Sequence, residues 1–123
     1  VSTEVALSYW MHSKDSLERI VKASANAAKI RITNSKLTLD SDLDFSGPDY
    51  KASYFCLQWC GDQAKDDWSG QPERLGRLLK AVAGSKLRDS LRTLNVQSCG
   101  VAVDKVQQML KDLGLTAISV VQE

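Results

Sequence analysis

The apolar periodicity of the chain constrains its fold more than any other feature, because it switches between a strand period and a helical period. Val5, Leu7 and Tyr9 alternate with less apolar residues, as in a half-buried strand. Over residues 13–28 the apolar residues fall at helical spacing, and they do so again over residues 103–113. Residues 118–121 end the chain with a strand pattern. The sequence therefore predicts a strand at each end and helices between them.

The first half of the chain contains further strand patterns. Alternation over residues 30–33 and 37–39, separated by Asn34-Ser35, predicts a hairpin, since Asn tolerates left-handed geometry. Residues 54–59 alternate with apolar residues on both faces. A strand of that kind is typical of the centre of a sheet.

The second half contains helical patterns. Pro72 suits the first turn of a helix and Gly84 suits its end. Ser85 then begins a second predicted helix, with Leu87, Leu91 and Leu94 on its inner side, which ends near residue 95.

Together these elements predict an α+β fold in a single globular domain over residues 1–123. We expect one antiparallel or mixed sheet of about four to five strands. Three to four helices pack mainly on one face of it, in the order β-α-β-β-(β)-α-α-α-β. No internal repeat is visible in the sequence.

Composition disfavours disorder and a membrane location. Charged residues make up 25% of the chain and hydrophobic residues 43%, as in ordinary globular proteins. No apolar stretch is long enough for a membrane span, and no leader peptide is visible. We therefore expect a cytoplasmic protein without a membrane partner, although a chain that begins at Val1 leaves a processed, secreted origin open.

Charge is segregated along the chain although the net charge is only +1. Residues 1–39 carry six basic and three acidic side chains, and residues 40–69 carry seven Asp against two Lys. Residues 70–95 carry six basic and two acidic side chains. Such a distribution favours a protein partner, or a homodimer in which acidic and basic segments meet.

The cysteines favour buried thiols over a metal site. If residues 54–60 are extended, the Cα atoms of Cys56 and Cys60 lie roughly 13 Å apart, too far to share a zinc ion or a disulfide. A disulfide from Cys99 to Cys56 or to Cys60 stays open. Buried, reduced thiols are the simpler interpretation.

No catalytic residue and no cofactor are predicted. His12 is the single histidine, and it lies where a strand-to-helix turn needs polar groups in any case. Ser98 and Cys99 precede Gly100, but the flanking pattern of a nucleophile elbow is absent.

A cluster of aspartates is the candidate metal site. In an extended segment, alternate side chains project from one face about 6.6 Å apart, a spacing that suits a hard cation. A solvated acidic edge is the simpler interpretation, and the calcium-loop pattern fails. The candidate ligands, which would serve a small metal-dependent hydrolase or nuclease, are Asp40, Asp42, Asp44 and Asp49.

Basic helices and a loop tryptophan are the candidate binding residues. Arg74 and Arg77 lie one turn apart after Pro72, and Arg88 and Arg92 lie four residues apart. They suit an anion or a nucleic-acid backbone, or form an ordinary solvated helix face. Nucleic acid is not favoured, because the net charge is near zero.

Trp68 lies in a polar loop, where it either contacts a partner or folds back over the sheet. Trp59, by contrast, is assigned to the core of the central strand. The function expected from the sequence is a non-catalytic binding or regulatory module that contacts a protein partner or a second copy through charge-segregated loops and helices.

Overall fold

The computed structural model describes residues 4–8, 11–12, 14–37, 39, 41–61, 68–69 and 71–122. Within these ranges the strands are β1 (Glu4–Ser8), β2 (Met11–His12), β3 (Lys29–Thr33), β4 (Lys36–Leu37), β5 (Tyr54–Gln58), β6 (Thr93–Asn95) and β7 (Ser119–Val121). The helices are α1 (Lys14–Ala23), α2 (Pro72–Ala83), α3 (Leu87–Ser90) and α4 (Val103–Asp112). None of these helices is both long and apolar enough to cross a membrane.

The main sheet has five strands in the order β1-β3-β5-β6-β7, and every pair is parallel. The predicted α+β fold, with one main sheet of about four to five strands and a central strand at β5, is confirmed. The antiparallel or mixed arrangement is wrong. Each strand returns to the same edge of the sheet through a helix or a long connection, so its neighbour runs in the same direction.

The predicted hairpin at Asn34-Ser35 is also wrong. A two-residue hairpin of the common type needs two consecutive left-handed residues, and at this point only Asn34 has a positive φ, of 52°. The chain therefore bends without reversing. β4 continues beyond the bend and pairs in parallel with β2, where Met11 lies opposite Lys36.

The sheet register reveals an internal repeat that was not visible in the sequence. Val5, Ile30, Phe55, Leu94 and Val120 occupy one column across the sheet, at separations of 25, 25, 39 and 26 residues. Strands of the main sheet that follow one another along the chain are thus also neighbours in the sheet.

The repeat also explains the buried columns. Residues at equivalent positions before, within and after β3, β5 and β6 are 9% exposed or less. These inward columns contain Ala27, Ala52 and Leu91; Ile30, Phe55 and Leu94; Ile32, Leu57 and Val96; and Ser35, Cys60 and Cys99.

The helices cover the inward side of the sheet. α2 buries Leu75, Leu78, Leu79 and Val82, and α4 buries Val106 and Leu110, in the core that contains the inward columns. The helix predicted from Ser85 to near residue 95 stops at Ser90. Leu91 is already extended, and the next residues form β6.

Candidate binding surface on the exposed sheet face

The side of the sheet opposite the helices carries a polar surface, which we call the strand face. Its residues alternate with the inward columns. Most are exposed or half-buried, and they lie side by side on neighbouring strands. The strand face comprises Glu4, Ala6, Lys29, Arg31, Thr33, Tyr54, Cys56, Gln58, Thr93, Asn95, Gln97, Ser119 and Val121.

Side-chain contacts across the strands fix the shape of the strand face. Arg31 donates from Nε to the Glu4 carboxylate at 2.9 Å, and this bond raises the pKa of Arg31. The Arg31 guanidinium also lies 5.8 Å from the centre of the Tyr54 ring. From β6, Asn95 Nδ2 donates to the hydroxyl of the same tyrosine at 2.9 Å. The contacts therefore run without a break from β1 to β6.

A second side-chain contact of the strand face lies at the C-terminal ends of β5 and β6. Gln58 Nε2 donates to Gln97 Oε1 at 2.9 Å. Satisfied polar networks hold their members in defined positions, so these amides are presented in a fixed orientation.

All three cysteines are buried, free thiols, which confirms the simpler interpretation of their pattern. Cys56 lies beneath the side chains of the strand face, and burial raises the pKa of its thiol. Cys60 and Cys99 share an inward column. There each thiol donates to a carbonyl of the preceding strand, at Ile32 for Cys60 (3.3 Å) and at Leu57 for Cys99.

Of the two tryptophans that the structure describes, Trp59 is the exposed one, and its predicted place in the core is wrong. Asn34, Trp59 and Ser98 are equivalent residues of the repeat, and all three are left-handed, with φ of 52°, 59° and 58°. The left-handed residue directs the next side chain into the core, as Cys60 shows, and leaves Trp59 outside. The Trp59 side chain is 55% exposed.

Trp68, for which the sequence offered both a contact role and a position folded back over the sheet, is fully buried. Its main-chain N–H donates to the carbonyl of Cys99 at 2.9 Å, which holds it against the inward columns. The indole Nε1 has no acceptor among the described residues. The observed position is therefore the one in which the side chain folds back over the sheet to bury its large apolar area.

The four predicted arginines lie in two separate places. Arg74 and Arg77 are half-buried on α2, and Arg77 borders a cleft of about 270 Å³ that Asp42 and Asp44 also line. Arg88 and Arg92 line a different cleft, beside the loop before β7. The structure thus does not unite the basic helices in one surface.

The described aspartates also point to different partners. The Asp44 carboxylate accepts hydrogen bonds from the main chain (2.9 Å) and hydroxyl of Ser46. Asp49 pairs with Lys86 at 2.6 Å, which lowers the pKa of Asp49. Among the described residues, no group of three or more His, Cys, Asp or Glu side chains is placed to hold a metal ion. Asp40 and the His12 side chain lie outside them, so the four-aspartate site stays a prediction.

Tyr50 is expected to make the protein less stable above pH 10. Its hydroxyl donates to the Phe45 carbonyl, and burial, together with the charge of Asp44, raises its pKa to about 12. The pKa in the unfolded chain is about 10. The folded state therefore holds the proton more tightly, and its contribution to stability is complete below pH 10 and falls as pH rises toward 12.

Urea unfolding over this pH range checks the prediction, with Tyr50→Phe as the comparison. The variant keeps the other tyrosines but lacks the titrating hydroxyl, so its stability should fall less steeply with pH. Equal slopes for the two proteins would contradict the assignment.

Comparison with protein-family models, with curated proteins and with solved structures finds no match to this chain. Its function must therefore be argued from its own surfaces. Of those described above, the strand face contains the largest set of side chains that neighbouring strands hold together.

Proposed function

We propose that this protein is a non-catalytic binding module of the leucine-rich-repeat type, and that its strand face contacts a segment of a protein partner. The inward columns support the first part. In three repeats they match the first nine positions of the order L-x-x-L-x-L-x-x-N/C-x-L, which is typical of such repeats with a period of 20–29 residues. The separation of 39 residues between β5 and β6 exceeds that period. Ala27 and Ala52 replace the first leucine in two repeats, and Ser35 takes the Asn or Cys position in one. Solenoids of this kind bind partners on extended surfaces formed by successive repeats.

The observation that carries the proposal is the position of Trp59. A left-handed conformation costs about 1–2 kcal/mol for an ordinary L-residue, and less for a residue such as Asn. Asn34 and Ser98 occupy the equivalent turns, so the fold does not need a bulky side chain there. An exposed tryptophan in a strained turn therefore suits a contact with a partner better than a role in folding, since Trp is enriched among residues that dominate binding energy.

The dimensions of the strand face favour a short segment as its ligand. Five strands about 4.8 Å apart, three of them five residues long and two of them three, give a face of at most about 20 Å by 17 Å. That projected area, about 340 Å², is less than half of the ~800 Å² that each partner buries in a standard interface. A peptide or a protruding loop matches this size, with Trp59 at the rim.

The charges on the strand face favour an acidic group in that segment. Lys29 is exposed, and its ammonium lies 5.8 Å from the centre of the Tyr54 ring. Arg31 and Glu4 already form an ion pair, so Lys29 supplies the excess positive charge of this end of the face. The acidic and basic segments seen in the sequence partly neutralise each other within the chain, as the pair of Asp49 and Lys86 shows.

The Trp59→Ala variant tests the proposal. Random peptides are selected against the wild-type protein and their affinities are then measured by calorimetry for wild type and variant. We expect Trp59→Ala to weaken binding by about 30-fold or more, the effect of losing about 2 kcal/mol at a hot spot. Arg77→Gln, on the helical side, serves as the matched control and should leave the affinity unchanged.

Three outcomes would contradict the proposal. The first is peptides that bind wild type and Trp59→Ala equally but lose affinity in Arg77→Gln, which would transfer the site to the basic helices. The second is binding of labelled single-stranded RNA or DNA, steeply weakened by salt, in place of peptide binding. The third is binding of Mg²⁺ or Mn²⁺ in calorimetry with hydrolytic activity, which would favour the metal-dependent alternative.

A further inference from the structure

The cleft that contains Arg88 and Arg92 lies at the N-terminal ends of β6 and β7, beside the loop that connects α4 to β7. Its volume is about 270 Å³, ample for a phosphate-sized ion. We propose that this cleft is an oxyanion site that binds a phosphoryl group, either as inorganic phosphate or as a small phosphate monoester.

The chain brings the two arginines together by ending a helix between them. α3 stops at Ser90 and Leu91 is extended, so the helical spacing of four residues does not apply. Arg92 instead lies beside β7, where its carbonyl accepts the N–H of Ser119 at 2.8 Å. That bond holds the turn at Thr116 and Ala117, which also lines the cleft, against Arg92.

Both guanidinium groups are anchored at one nitrogen and leave their other donors open. Arg88 Nη1 donates to the carbonyl of Ala83 at 3.2 Å, and Arg92 Nη1 donates to the carbonyl of Leu91 at 2.9 Å. A guanidinium has five N–H donors. Within the described part of the chain, no acceptor is found for the remaining donors of either group.

The turn that lines the same cleft also carries two main-chain donors without a partner in the part of the chain that the structure describes. Leu115 and Ile118 donate their N–H groups to Leu110 and Leu115, at 2.8 Å and 3.4 Å. The N–H groups of Thr116 and Ala117, between them, have no acceptor among the described residues. Successive free main-chain amides in a turn are a recurrent feature of sites for anions.

The charge of the cleft selects an anion that accepts several hydrogen bonds. Asp89 also lines it, so two guanidinium groups and one carboxylate leave a single net positive charge. An excess this small attracts a chloride ion only weakly. A phosphoryl group gains more, because its oxygens match the fork of an arginine and accept charge-assisted bonds from several directions.

Amide-resolved NMR titration of the full chain tests the site, with inorganic phosphate and phenyl phosphate as probes and NaCl at matched ionic strength as the blank. We expect saturable shifts of the Thr116 and Ala117 amide signals with at least one phosphate probe and none with NaCl. Arg92→Gln should weaken the binding at least tenfold. Arg92→Lys, which keeps the charge but loses the planar fork, should weaken it too.

Arg19→Gln, on α1 and outside both clefts, replaces an equally exposed arginine and is the matched control, which should bind phosphate like wild type. Arg88→Gln gives a second test, since both arginines are exposed and each variant's spectrum reports whether it is folded. Shifts that do not saturate, or equal affinity in wild type and both glutamine variants, would overturn the proposal. Because the cleft lies at the N-terminal ends of the strands and Trp59 follows the C-terminal end of β5, either result leaves the peptide-binding test of Trp59 independent.

Discussion

Replacing Trp68 with Ala is expected to lower the free energy of unfolding by about 3–5 kcal/mol, the usual cost of removing a fully buried aromatic side chain. The Trp68 side chain has no exposed surface and belongs to the core that contains the inward columns. Its removal leaves a cavity beside Cys99, because the strands around it are fixed by their ladders and relax only partly. Urea unfolding followed by far-UV circular dichroism measures the loss without depending on tryptophan fluorescence.

Trp59→Ala is the matched control, since it removes the same side chain from an exposed turn. We expect its stability to equal that of wild type to within about 0.5 kcal/mol, as is usual for surface substitutions. A Trp68→Ala protein as stable as Trp59→Ala would show that residue 68 does not pack in the core.

The second large effect is expected from Phe55→Ala, again about 3–5 kcal/mol of unfolding free energy. Phe55 occupies the central strand, is fully buried, and pairs in register with Ile30 and Leu94. Its neighbour Tyr54 points to the opposite side, where it accepts a hydrogen bond from Asn95.

Tyr54→Ala should therefore cost much less, about 1 kcal/mol for the lost hydrogen bond. The two variants differ by one position on the same strand, so their comparison measures which side of the sheet faces the core. Equal losses, or a larger loss for Tyr54→Ala, would contradict the assignment of the strand face. The measurement is the same urea titration.

The helices were predictable because each carries its own periodic signal. α1, α2 and α4 bury residues spaced by three and four, and a single window of sequence contains that pattern. Strand direction has no such signal, since alternation is the same in parallel and antiparallel strands. The parallel direction of the strands is therefore visible only in the structure.

β6 shows where the sequence pattern is ambiguous. Leu87, Leu91 and Leu94 have helical spacing, and a helix was predicted through them. In the repeat, however, Leu91 precedes β6 and Leu94 lies within it, and both side chains face the core. Two inward leucines three residues apart fit a helix and a strand equally. Pairing with β5 decides between them.

The strand face could not be predicted for a related reason. Its side chains are polar residues of ordinary type, and only the sheet register places Glu4 beside Arg31 or Gln58 beside Gln97. The exposure of Trp59 depends on its φ, which no alternation pattern reveals. Arg88 and Arg92 were identified from the sequence, but their shared cleft depends on the loop before β7, which lies far along the chain.

The unequal separations along the repeat have a consequence for how such a protein can change. Equivalent residues of β5 and β6 are 39 residues apart, whereas those of β3 and β5 are 25 apart, yet both pairs form the same parallel ladder. By the usual loop-closure relation, the longer connection costs only about 0.4 kcal/mol more. The connections on the helical side can therefore gain or lose whole elements during evolution while the side chains across the sheet keep their spacing. In this architecture, connection length varies almost freely, and the register of the columns across the sheet is what selection has to preserve.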